Sequence, residues 1–94
     1  MTARPIRMAR NVLDAVEAER HRCPLQQQTS PQSLELLVAI TAAHGGSGYG
    51  PAVLTLGPEA RELLGALLER VERRGWKVRP SSIARVREQL QGAE

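Results

Sequence analysis

Residues 34–43 read LELLVAITAA, the longest apolar run in the chain. That run constrains the fold more than any other feature. It is too short to cross a bilayer, which takes about 18–20 apolar residues, and it carries Glu35. Ser30 followed by Pro31 reads as the N-cap and first turn of a helix, and Gly45 supplies the left-handed residue that commonly ends one. Within it Leu34, Leu36, Leu37, Val38 and Ile40 spread around the helix and leave no polar face. A helix of that kind is a buried one, so the run is expected at the centre of the fold or in a dimer seam.

What must surround it follows from what the chain lacks. Its 94 residues contain no Phe, one Tyr and one Trp. Leu, Val, Ala and Ile have to build the core, and such side chains fill the seams between helices well. A single domain of this size buries a modest share of its surface. The expectation is therefore a homodimer or a partner-bound state. The single cysteine, Cys23, excludes an internal disulfide and fits a reducing compartment. With no apolar stretch after the N-terminal arginines, the expected location is cytoplasmic, with no membrane partner.

Apolar spacing places the other elements. Met8, Ala9, Val12, Leu13 and Val16 form one stripe of a helix predicted over Arg4–Arg22, with Pro5 in its first turn. Asp14, Glu17 and Glu19 among Arg10, Arg20 and Arg22 read as its solvated face. Residues 23–32, CPLQQQTSPQ, and 44–51, HGGSGYGP, read as connectors. Gly57 and Pro58 open a helix whose stripe is Leu63, Leu64, Leu67, Leu68 and Val71, closed by Gly75. Pro80 and Ser81 open the last helix, with Ile83, Val86 and Leu90 on one side. The predicted fold class is mostly α: one small four-helix domain over 1–94, with room for a minimal two-stranded parallel element pairing 52–56 (AVLTL) with 76–79 (WKVR).

Catalytic chemistry finds little footing. Gly46, Gly48 and Gly50 alternate, but Pro51 stands where a dinucleotide fingerprint needs its third glycine, and no Gly-Lys-Ser/Thr follows. His21, Cys23 and His44 are the only good nitrogen or sulfur ligands, and H-x-C falls short of the paired spacing of a structural zinc site. Nothing in the spacing brings Cys23 or Ser47 to an oriented histidine. The expectation is a protein that is not an enzyme and has no cofactor and no metal.

Binding remains, and the charge says where. Residues 70–90, RVERRGWKVRPSSIARVREQL, hold seven basic and two acidic groups, net +5. The other residues hold six basic and eight acidic groups, net −2, so the segment accounts for the whole excess of +3. Such a patch attracts phosphates or acidic protein surfaces. Arg70, Arg73 and Arg74 have a local use at a helix C-terminus, where the dipole favours cations. By subtraction Lys77, Arg79, Arg85 and Arg87 are the leading partner-binding residues, with Arg74 and Trp76 second. Trp76 suits a binding hot spot and a core plug equally.

RPSSIARVREQL, at 79–90, resembles the recognition helix of helix-turn-helix proteins: a turn, a Ser pair, an inward Ile and outward arginines. It departs from that motif in the five residues between Gly75 and Ser81. The leading expectation is a small non-catalytic regulator or inhibitor, of the kind phages and mobile elements encode, that docks on a macromolecule through this basic C-terminal segment. Its partner would be a protein with an acidic surface, or a nucleic-acid-binding protein whose site it blocks. The resemblance implies the alternative, a DNA-binding transcriptional regulator, in which nucleic acid is the partner. A third reading is a structural subunit assembling through helix 34–43.

Overall fold

The computed structural model describes residues 4–45 and 50–91. Within them the order is β1 (Ile6–Met8), α1 (Arg10–His21), α2 (Leu25–Gln28), α3 (Pro31–Gly45), β2 (Ala52–Leu54), α4 (Pro58–Arg74) and α5 (Pro80–Gln91). The fold is mostly α, as the apolar spacing predicts, with a small sheet beside the helices. Among the described residues there are five helices, because CPLQQQTSPQ folds one short turn of its own. Gln28 holds that turn by donating to the carbonyls of His21 and Cys23, at 3.2 and 2.7 Å.

Two strand assignments are corrected. Residues 52–54 pair with the N-terminal segment and not with 76–79. Ile6 faces Leu54, Arg7 faces Val53 and Met8 faces Ala52 in antiparallel register. Ile6 and Met8, like Ala52 and Leu54, point inward, so two short runs of period-two burial meet. Pro5 holds the residue before it out of helical geometry, and the β-branched Ile6 follows in extended form. The helix predicted from Arg4 thus begins only at Arg10. WKVR is a turn, in which the Val78 amide donates to the Trp76 carbonyl at 2.7 Å.

α3 begins as expected: the Ser30 hydroxyl accepts from the Ser33 amide at 3.3 Å. Its burial does not follow the expectation. Ser33, Leu36, Ile40 and Ala43 are buried against the rest of the chain, whereas Leu34 and Val38 are 45% and 68% exposed. Periodicity could not reveal this, because the outward face is also apolar. Glu35 has a defined use: its carboxylate accepts from the Gly57 amide at 2.6 Å and so caps the start of α4. A Cβ on Gly57 would stand 3.3 Å from that carboxylate, so a larger residue there would require Glu35 to shift by a few tenths of an ångström.

The core is built from Ile6, Met8, Val12, Leu13, Val16, Leu36, Ile40, Leu54, Leu56, Leu64, Leu67, Leu68, Val71, Ile83 and Val86, with small alanines between them. Each fully buried Leu or Ile contributes about 1.5–3 kcal/mol. α4 is the central element, lying against α1, α3 and α5. Arg61 ties its first turns to both chain ends by donating to the carbonyls of Arg4 and Gln89, at 3.1 and 3.0 Å. No helix among the described residues is long and apolar enough to cross a membrane.

Candidate docking site

The basic segment divides into two parts with different surroundings. The first part is set by the end of α4. Gly75 has φ 74° and ψ 34°, the left-handed conformation that suits a glycine. There its amide donates to the Glu72 carbonyl and that of Trp76 to Val71, at 3.2 and 3.4 Å, which is the Schellman closure of a helix. This reversal carries Trp76 back toward the protein. Its indole N–H donates to Oε2 of Glu19 at 2.7 Å.

Glu19 is the organising residue of this region. Its side chain is completely buried, on the α1 face that the sequence marks as solvated. Arg74 forms a two-pronged ion pair with it, Nε to Oε2 and Nη2 to Oε1, the latter at 3.3 Å. Arg70, one turn earlier, has Nε 4.0 Å from Oε1 and donates from Nη1 to the Cys23 sulfur at 3.3 Å. Burial alone pushes the Glu19 carboxyl up. The hydrogen bonds from Arg74 and Trp76, with the charges of Arg74 and Arg22, outweigh it and hold the carboxyl below its usual range. Arg20, the other buried charge of α1, donates to the carbonyls of Ser33 and Gln28 at 3.2 and 2.9 Å.

The second part of the segment lies on α5 and the turn before it. Lys77 and Arg79 are exposed on that turn. Arg85 and Arg87, two residues apart, point roughly 160° away from each other around the helix axis. Arg87 turns toward α4 and is ion-paired with Glu72, so it has a local use that the sequence did not suggest. Arg85 turns the other way, toward β1. Lys77, Arg79 and Arg85 have no carboxylate partner among the described residues.

On the β1 side Ser82, Arg85 and Gln89 form one stripe of α5. The Gln89 side chain meets the outer edge of β1 as a third strand would: it accepts from the Arg7 amide and donates to the Arg7 carbonyl, both at 2.7 Å. This fixes α5 against the sheet and leaves a groove of about 530 Å³ between them. Arg7, Arg10, Arg85, Ser82 and Gln89 line it, with Met8, Ala9, Gly50 and Pro51. Arg10 also donates to the Ala43 carbonyl at 3.2 Å. Arginines from β1, α1 and α5 therefore line one groove. The sequence hid this, since Arg7 and Arg10 lie 75 or more positions from Arg85.

A second depression, on α4, is lined by Ala66, Glu69, Arg70, Arg73 and Arg74. Arg70 and Arg74 already serve Cys23 and Glu19 there. Ser47 and Tyr49 of the glycine-rich connector lie outside the described residues. One cluster could hold a metal: Asp14, Glu17 and His44 bring one ligand atom each within 4.8 Å of one another. No family model, no curated protein and no solved structure matches this chain.

Proposed function

We propose that the protein is a small non-catalytic regulator that docks on a macromolecular partner with an acidic surface, through the groove between β1 and α5. The shared groove of Arg7, Arg10 and Arg85 carries this reading. Three arginines with no carboxylate partner among the described residues line one groove in which Gln89 fixes α5 against β1, and together they offer hydrogen-bond donors to carboxylates. Lys77 and Arg79 extend the same charge along the turn before α5 and speed encounter with an acidic protein. Arg74, Trp76 and Arg87 act differently: they hold the scaffold on which the groove is built.

A DNA-binding regulator is the second reading, and it rests on Ser81, Ser82 and Arg85 early in α5. A recognition helix presents its basic side chains on one outward face. The opposed directions of Arg85 and Arg87, with Arg87 tied to Glu72, favour the protein-docking reading over it.

Affinity capture from host extract separates the two. The parent chain and an Arg73→Glu control retain one acidic partner, and the double variant Arg7→Glu/Arg85→Glu loses it. Capture of the same partner with undiminished affinity by the double variant overturns the groove. A duplex shifted in a gel with steep salt dependence transfers the function to nucleic acid.

A further inference from the structure

We infer that Asp14, Glu17 and His44 form a binding site for one divalent transition-metal ion, zinc in the first instance. The site lies at the seam of α1 and α3, one turn along α1 from Arg10 of the groove. Asp14 and Glu17 stand three residues apart on α1 and therefore share a face. His44 comes from the last turn of α3 and directs Nε2 at both of them, 3.0 Å from Glu17 Oε1 and 4.0 Å from Asp14 Oδ1.

These separations suit one ion. Ligand atoms about 2.0–2.2 Å from a zinc ion lie roughly 3.0–3.6 Å from one another. The His44–Glu17 pair already meets that distance. Asp14, whose side chain is 68% exposed, has the freedom to close the remaining gap by a rotamer change. An imidazole nitrogen with two carboxylates selects zinc, nickel, cobalt or copper over magnesium and calcium, which take oxygen alone. Two negative charges meet the dication, and the coordination positions left over face solvent, where water completes the shell.

A plain ion pair between a protonated His44 and Glu17 needs only two of the three residues. Asp14 is the discriminating group, because a metal site requires it and the ion pair does not. Bound metal would fasten the end of α3 to α1.

Titration calorimetry of the full chain in chelator-treated buffer tests the site, with zinc chloride as the probe. The expected result is saturable binding of one ion per chain at micromolar zinc. Asp14→Asn and His44→Ala are each expected to weaken it at least tenfold. His21→Ala and Cys23→Ser are expected to leave it unchanged, which excludes the H-x-C pair as the ligand. Circular dichroism of each variant checks folding, and the exposed Asp14 keeps the test valid if His44→Ala unfolds. Cobalt is expected to give a spectrum without a thiolate charge-transfer band. No saturable heat below millimolar zinc, or unchanged affinity in Asp14→Asn, overturns the site.

Discussion

Arg74 and Arg85 belong to the same basic stretch, and their surroundings have nothing in common. Arg74 reaches a carboxylate that water does not touch, and it shares that carboxylate with Trp76. Arg85 faces an open groove that Arg7 and Arg10 also line. The first arginine is bound into the fold, and the second pairs with no carboxylate among the described residues. A cluster of charge in sequence is thus no single surface: Arg70 and Arg74 reach inward to Glu19, and the chain reversal at Gly75 brings Trp76 to the same carboxylate.

The comparison breaks most sharply at Glu19. Glu19→Ala removes three charge-assisted contacts and leaves the Trp76 indole N–H without an acceptor, so a loss of about 3 kcal/mol is expected by urea unfolding. Arg74→Met is expected to cost a similar amount, about 3 kcal/mol, because the buried carboxylate then keeps only Trp76 as a hydrogen-bond donor. If both variants melt like the parent, the network is not a structural centre.

Acid should act through the same residue. The Glu19 carboxyl holds its proton less tightly in the folded chain than in the unfolded one, where a glutamate titrates near about 4.3. Its contribution to stability is then complete above about pH 5 and is lost as pH falls through the lower folded value. Glu19→Gln has no carboxyl to titrate at this position and should show a shallower loss of stability over that window. The one tryptophan makes this readable, because Trp76 touches the group that titrates. Parallel acid profiles for parent and Glu19→Gln would remove Glu19 as the cause.

These residues also mark how far the sequence reaches. Local signals were legible: the Ser30 cap, the Gly57–Pro58 start and the Gly75 stop each lie within a few residues of what they control. Glu19 and Arg74 are 55 positions apart, and no spacing rule joins them. Leu34 and Leu36 look alike in sequence, yet one is exposed and the other buried, because the position of α1 and α4 decides it. β1 was hidden for a related reason: Met8 and Val12 have helical spacing but belong to different elements. That Lys77, Arg79 and Arg85 have no local ion pair was legible by subtraction, whereas Arg7 and Arg10 come to line the groove with Arg85 only when β1 meets α5.

The smallest expected effect is the most informative about the groove. Arg85→Glu removes a cation that pairs with no carboxylate among the described residues and stands in the field of Arg7 and Arg10. Reversing an exposed charge generally changes stability by about 0.5 kcal/mol or less. Here the sign should be favourable, because the new carboxylate relieves repulsion and gains two cationic neighbours. Arg87→Glu, two positions on, should move the other way, since it sets two carboxylates against each other at Glu72. Urea unfolding of the two variants beside the parent reads both signs. Opposite shifts would mean that Arg85 is carried at a cost to the fold, as expected of a residue kept for binding. A loss of more than about 1 kcal/mol in Arg85→Glu would instead make Arg85 a second Arg74, and the division between the two halves of the segment would fail.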